Sequence, residues 1–460
     1  MESELLQTPS LLLRGGEDTD SGSGQASCID TGDTTWVMVC TVLVLGMMPA
    51  LAFFEAGLLR AKNTLSIITQ IFVGIALMAV LWHLIGFTLV FGPDYGGMIG
   101  GPRYAAFRDL ENNCLEHAPN IPGLSFALFQ MMFAAISPLL MTGAFAERIK
   151  FKVFIALIVW WEVLVYYPLA HWIWGGGWLA DRHVMDFAGG IVIHVSSGVS
   201  SLVMAIVLGK RQGFEKYHGE YPPSNIPLAS VGAALLWMGW YGFNAGSALT
   251  AGAIASRAVG TTTVASCTSL LTWVLLNLFH ARSFNTIAVL NGAIAGLAGI
   301  TPASGYIRTS WASLIGVVLG LSSFYSIKLF KGVLKIDDAL DVSSVHGVTG
   351  LIGSLSIGIF AESSLNTRGY NGWIHGNPSQ MYIQLLGVVV ALAWAAFWTF
   401  IFVLLARWAF GSLTPRLEEE RQGLDALEHG HDPAYHNLHR HNIAVEDEFL
   451  NSEEEKTLIQ

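Results

Sequence analysis

Two histidines raise the first chemical question. His194 lies in DFAGGIVIHV, eight residues after Asp186, and His346 lies in DVSSVHGVTG, five residues after Asp341. A neutral imidazole offers one donor and one acceptor, and it titrates near neutrality. Two of them could relay a proton, hold a small polar ligand, or bond a serine or carbonyl and serve packing alone. No nucleophile motif accompanies them, which speaks against an intramembrane hydrolase built on Asp and His.

The setting sharpens the question. The chain of 460 residues is 53% hydrophobic and 13% charged, with a mean hydropathy of +0.51. Soluble domains carry roughly 25% charged residues, so the composition points to a membrane protein. The net charge of -10 is concentrated in polar tails such as RLEEER and SEEEK, a pattern of solvated segments and not of a nucleic-acid surface. Cys28, Cys40, Cys114 and Cys267 show no C-x-x-C spacing, so neither a thiolate metal site nor any other cofactor is expected. The N-terminal stretch lacks a basic region followed by an apolar core, so the first membrane helix is expected to direct insertion.

Apolar runs of about 20 residues, enough to cross a bilayer, fall at 34–59, 66–92, 122–146, 152–173, 187–208, 226–249, 256–279, 284–303, 309–330, 342–361 and 380–410. The fold expected is an all-α integral membrane protein of eleven transmembrane helices. Residues 1–33 form a polar N-terminal tail, 34–411 the membrane domain and 412–460 a C-terminal tail. One set of loops holds Arg60, Lys62, Arg148, Lys150, Lys152, Lys210, Arg211, Lys216, Arg282, Lys328, Lys331 and Lys335, and the other only Arg103, Arg108, Arg182, Arg257, Arg308 and Arg368. The richer set faces the cytoplasm by the positive-inside rule, which puts the N-terminus outside and the C-terminus inside.

Eleven spans divide as five plus five plus one, and a repeated unit with an odd number of spans must invert its orientation. The fifth and tenth spans then run in opposite directions. At about 1.5 Å per residue, His194 lies ~12 Å below Asp186 and His346 ~7.5 Å above Asp341, both near mid-depth. Ionisable groups inside a membrane are costly and usually face a pathway. Matched positions in matched repeats favour a shared pathway for this pair. His83, His171 and His280 have no mirror partners and read as structural or interfacial.

The runs DTTWVMVCTVLVLGMMPALAFFEAGLLRAKNTLS, FALFQMMFAAISPLLMTGAFAERIKF, YPLAHWIWGGGWLA, DFAGGIVIHVSSGV, GWYGFNAGSALTA, GAIAGLAGITPASGYI and DDALDVSSVHGVTGLIGSLSIGIFA resemble the signature segments of the ammonium transporter (Amt/Mep/Rh) family, on its Amt/Mep branch. The resemblance spans roughly 33 to 435. It implies that Trp174 and Ser247 recruit ammonium at an outer site, the indole face attracting the cation and the hydroxyl accepting an N–H. It implies that Phe133 and Phe243 block the pore and that His194 and His346 line it below. Phe129 and Trp240 match further vestibule or pore-wall positions. Asp186 matches a required acid, expected to anchor the recruitment-site backbone and favour a cation. Asp341 matches an inner acid, either functional or a helix cap. Glu147 reads as structural, paired with Arg148 or Lys150.

Some positions depart from the family pattern. Glu55 follows the pore-lining Phe54 where bacterial relatives often have tyrosine; it either pairs with Arg60 or touches the inner vestibule. Leu427 stands where plant members carry a phosphorylatable threonine. EEKTLI, with Glu454, Leu458 and Ile459, resembles an acidic-dileucine sorting signal. Cys28 and Cys114 both fall on the expected outside, where a disulfide between them is possible.

The function expected is transport of ammonium across a membrane by a homotrimer with one pore per subunit, not enzymatic catalysis. The substrate is ammonium or ammonia, with methylammonium as analogue. The plasma membrane is the expected site, with an endosomal or vacuolar membrane as the alternative. The C-terminal tail leaves room for a cytosolic regulator. Alternatives are an ammonium sensor or transceptor on the same pore, and an electroneutral Rh-like channel for NH3 or CO2, against which the cation-recruiting Trp174 and Ser247 argue.

Overall fold

Long apolar runs become helices because in hydrocarbon every backbone N–H and C=O must be bonded within the segment. The computed structural model describes residues 28–111 and 113–430. Among them, ten helices are long and apolar enough to cross a membrane: α1 Thr31–Leu58, α2 Ala61–Phe91, α3 Gly123–Phe145, α4 Phe151–Asp181, α5 Gly190–Leu208, α6 Ile226–Gly246, α7 Ala253–Ala281, α9 Thr309–Val333, α10 Ser343–Phe360 and α11 Ser379–Phe410. The eighth predicted span is a shorter apolar helix, α8 Thr286–Ile300. Large apolar side chains such as Phe72, Leu275, Phe397 and Phe400 project outward, as a lipid-facing surface requires.

Helix starts follow from side chains that satisfy otherwise orphaned N–H groups. Asp30 accepts from Asp33 N at 2.8 Å, Asn225 from Leu228 N at 2.9 Å and Asn285 from Ile287 N at 2.9 Å. What periodicity does not reveal is that five of the spans contain π-helical stretches: Trp82–Gly86, Glu162–Tyr166, Gly190–Val195, Lys328–Val333 and Ser343–Val348. Such wide turns gather at functional sites, and two of the five carry His194 and His346.

Helices α1 and α6 lie against each other along their length, and α5 crosses α10 where small residues permit it. A Cβ on Gly198 would collide with the Gly347 backbone, and one on Gly350 would meet the His194 Cβ at 2.8 Å. Close approach through glycine is how membrane helices gain contact without a hydrophobic drive. Here it brings the two imidazoles within reach.

At the end of α1 opposite its start, five charged side chains are buried together. Glu147 accepts from Arg60 Nε (3.0 Å), Arg211 Nη1 (2.9 Å) and Asn63 Nδ2 (3.0 Å), while Asp337 takes Arg211 Nη2 (2.8 Å) and Arg148 Nη1 (3.2 Å). This corrects the expected pairing of Glu147 with Arg148 or Lys150: the loops between spans fold over one another and bring Arg60 and Arg211 closer than the chain neighbours. Burial would push the Glu147 carboxyl up, but Arg60 and Arg211 hold it well below the usual glutamate range. Its stabilising contribution is therefore complete at neutral pH and is lost only as pH falls below that range. Glu147→Ala would strand two buried guanidinium groups, with an expected cost of about 3–5 kcal/mol. A thermal unfolding midpoint in detergent reads it.

The same face receives the end of the described chain, α12 Leu417–Gln422 and α13 Leu424–His429. The Asp425 carboxylate accepts from Leu65 N (3.0 Å) and Ser66 N (2.7 Å), and Leu424 N donates to Asn63 Oδ1 (2.8 Å). The tail thus caps the start of α2. At the other face, β1 Asp94–Tyr95 pairs with β2 Ile99–Gly100 and β3 Cys114–Leu115 with β4 Ala118–Pro122. A Cys28–Cys114 disulfide ties the chain ahead of α1 to β3.

Candidate functional site

Three cavities line up through the bundle. The first, about 300 Å³, opens at the face where α1 begins and is walled by Trp174, Ser247, Phe133, Asp186, Tyr306 and Arg368, among others. The Trp174 indole is held by Nε1 donating to the Asp186 carbonyl at 2.8 Å, which leaves its π face to the cavity. Ser247 donates its hydroxyl hydrogen to the Phe243 carbonyl at 2.8 Å, so its lone pairs are left to accept. An aromatic face beside an acceptor oxygen suits a small cation with N–H groups.

Phe133 and Phe243 close the floor of this cavity. Their rings stack with centroids 4.2 Å apart and 26° between planes, and Trp174 meets Phe133 edge-on at 6.3 Å. Phe129 packs against Phe133 from behind at 4.9 Å and lines none of the three cavities, so its expected place on the vestibule or pore wall is corrected. It is a buried prop for the Phe133 ring, fixed because Gly246 leaves room for it.

Below the rings is a void of about 30 Å³, enclosed by Phe54, Leu51, Ile136, Leu140, Trp240, Phe243, His194, His346 and other apolar side chains. That space suits one molecule the size of water or ammonia. His194 Nδ1 and His346 Nδ1 lie 3.2 Å apart. In a neutral pair one Nδ1 must donate and the other accept, so one Nε2 is then an acceptor and the other a donor. The pair therefore offers both kinds of bond whichever ring holds the shared proton. Trp240 is held by Nε1 donating to Thr301 Oγ1 at 2.9 Å and stacks over His194 at 5.8 Å.

Asp186 makes no bond to His194. Its carboxylate accepts four backbone N–H groups, from Gly189 (2.9 Å), Gly190 (2.7 Å), Ile191 (2.7 Å) and Val192 (3.0 Å), and so fixes the start of α5. Asp186→Asn would leave one oxygen for four donors and add a donor among them. The expected cost is about 1–3 kcal/mol per unsatisfied group, and it shows as a lower unfolding midpoint.

The acid that mirrors Asp186 is Asp338, not Asp341. Asp338 stands eight residues before His346, as Asp186 does before His194, and accepts from Val342 N (3.1 Å) and Ser343 N (2.7 Å). Asp341 adopts φ 62° and pairs with Lys331 Nζ at 2.6 Å. Its backbone carbonyl takes the first N–H groups of α10, from Ser344 and Val345, while its side chain, held by Lys331, lines the third cavity. That cavity, about 460 Å³, opens at the far face and includes Arg211, Tyr221, His280 and Lys331.

Glu55 requires a correction as well. It neither pairs with Arg60, which Glu147 claims with both oxygens, nor lines the void or the third cavity. Its buried carboxylate accepts the Thr142 hydroxyl at 2.8 Å. His171 is a satisfied structural residue, its ring nitrogens on Val90 O (2.7 Å) and Asp94 Oδ1 (2.9 Å); the His171 bond holds the Asp94 carboxyl below its usual range. Glu454, Leu458 and Ile459 lie outside the described residues. The sequence reading also passed over Glu162, buried in the α4 π-turn with neither carboxylate oxygen bonded among the described residues. Its lone acid letter in WWEVLVYY was the available signal.

With this geometry in place, comparison with known proteins identifies relatives. The profile of the Ammonium Transporter Family matches residues 35–435. A relative from Dictyostelium discoideum, "Ammonium transporter 1", is 58% identical over 411 residues, covering 89% of this chain and 88% of that protein. Among solved structures, Mep2 of Saccharomyces cerevisiae is similar with a TM-score of 0.78 at 33% identity, covering 85% of this chain and 88% of that one. A protein described as "Sensor Amt Protein" is similar with a TM-score of 0.77 at 30% identity, covering 86% and 98%.

Proposed function

The chain belongs to the ammonium transporter family, and on that premise we propose that it carries ammonium across a membrane through the path of these three cavities. The observation that carries this reading is the sequence of environments along the path: a cation-attracting site, a stacked aromatic block, then a dry void with an imidazole pair. NH4+ is recruited between Trp174 and Ser247. Moving a full charge into the apolar void costs several kcal/mol, so the proton leaves above or at the Phe133–Phe243 block. NH3 then passes His194 and His346, which between them accept from it and donate to its lone pair.

In the membrane the chain has eleven spans, α8 being the eighth. The Trp174 face and the N-terminus are outside, and the Arg211 face and the tail are in the cytoplasm. Residues 1–33 form the outer tail, 34–411 the transport domain and 412–460 a regulatory tail open to a cytosolic partner. The protein works as a homotrimer in the plasma membrane. Its similarity to "Sensor Amt Protein" gives a second reading, in which the same pore reports ammonium and conducts little.

Methylammonium uptake into proteoliposomes, recorded with simultaneous current across a pH series, tests the assignment. Saturable uptake supports transport, and the ratio of current to uptake tells whether the proton accompanies ammonia. Binding without flux would favour the sensor.

A further inference from the structure

One titratable group in the outer cavity has no place in the path described so far. His117, in the turn between β3 and β4, lines the same cavity as Trp174 and Ser247. Its ring lies parallel to Phe126 (8° between planes, centroids 6.5 Å) and edge-on to Phe91 at 5.3 Å. One ring nitrogen faces the backbone carbonyl of Gly175, the residue that follows Trp174. The turn is itself fixed: the disulfide holds Cys114, and Asp30 N donates to Asn120 O at 2.8 Å. The imidazole is thus a built part of the cavity wall.

Resting on the transport reading above, we propose that His117 is a specificity-determining residue of the recruitment cavity, accepting an N–H of ammonium when neutral and repelling the cation when protonated. With one ring nitrogen turned to Gly175 O, the other is the acceptor, and a neutral imidazole has only one. The surroundings decide which form prevails. Burial beside Phe91 and Phe126 comes first and holds the imidazole below the usual histidine range, while Glu116 in the same turn pulls the other way. From α4, His171 adds repulsion but is bound to Asp94. On the far wall stand Arg368, Tyr306 and Asp186, the last with its carboxylate occupied by four N–H groups. On the α1 side of the hairpin, Asp30 and Asp33 lie near Asn120; α3 contributes Phe126, Gln130 and Phe133 to the cavity wall, none of them charged. At neutral pH the imidazole is therefore uncharged and ready to accept.

The sign follows. Protonation competes with the cation, so below the folded pKa of His117 the apparent KM rises toward tenfold per pH unit while kcat stays level. Titration of the twin histidines would instead move kcat. The test is methylammonium uptake by the purified full chain in proteoliposomes at clamped outer pH, for wild type, His117→Gln and Glu116→Gln. Glutamine keeps an acceptor but does not titrate, so in His117→Gln the KM is expected to be flat with pH. In Glu116→Gln the break is expected to move to lower pH, since the carboxylate that favours protonation is gone. A KM that climbs on acidification equally in wild type and His117→Gln would overturn the proposal. So would an unmoved break in Glu116→Gln, a solvent-facing change that keeps the proposal testable even if His117→Gln fails to fold. Lack of uptake by wild type at neutral pH would instead count against the transport reading.

Discussion

Replacing one imidazole, as His194→Ala or His346→Ala, is expected to lower ammonium uptake by on the order of ten- to a hundredfold. Each ring supplies one end of the Nδ1–Nδ1 contact, and losing it leaves the partner without its bond and the void with only one polar wall. An unmade bond in a buried site costs about 1–3 kcal/mol, and each 1.4 kcal/mol is tenfold. The second consequence concerns selectivity. A histidine-sized gap beside a 30 Å³ void admits water, and a hydrated passage tolerates a charge that the dry one rejects. Relative permeability to K+ is therefore expected to rise as ammonium uptake falls. His194→Ala is expected to be the more disruptive, since this ring also supports Trp240 and Phe243. Radiolabelled methylammonium uptake with and without K+ reads both effects. Uptake and selectivity like wild type in both variants would contradict the assigned role of the pair.

Opening the aromatic block is expected to act on ions in the same sense and more strongly. In Phe133→Ala with Phe243→Ala, the 4.2 Å ring stack disappears and the outer cavity joins the central void. The barrier that strips water from a cation falls by an amount comparable with the few kcal/mol of a charge at mid-membrane, so K+ flux is expected to rise on the order of a hundredfold. The single changes are not equivalent. Phe133 touches Trp174 and Phe129, so its loss mainly widens the entrance, whereas Phe243 stacks 6.2 Å from His194 and its loss also loosens the pair. Phe243→Ala alone is expected to reduce ammonium uptake, while Phe133→Ala alone chiefly lets ions leak. An unchanged K+ flux in the double variant would show that the rings do not form the barrier.

Much of this architecture was legible because hydrophobic length and the opposed directions of two similar segments are written in one dimension. The paired histidines and the outer-cavity residues Trp174 and Ser247 all came from linear motifs. What escaped depends on chain reversals. Asp341 was matched to the inner acid, or to a helix cap, through the family resemblance, yet the eight-residue spacing that Asp338 shares with Asp186 was the better signal. The Arg60–Glu147 and Arg211–Asp337 pairs join loops far apart in sequence, so local proximity favoured the wrong partners. For Glu55 the sequence left open a pairing with Arg60 or a place at the inner vestibule, whereas the buried carboxylate takes the donor it faces, Thr142. The π-turns left no trace in the periodicity, because one wide turn shifts a long apolar stripe only slightly. His117 went unnoticed because a lone histidine in an exposed-looking loop carries no pattern until the fold places it beside Trp174.

The most direct measurement compares ammonium with K+ in the same proteoliposomes, by flux of each ion under identical gradients at fixed pH. The two bare cations are close in size, so a path that conducts intact NH4+ would pass both, whereas one that removes the proton before the void can pass ammonia alone. The expected result is saturable ammonium flux with K+ flux at the level of protein-free vesicles. Comparable fluxes of the two ions would contradict passage as NH3 past His194 and His346.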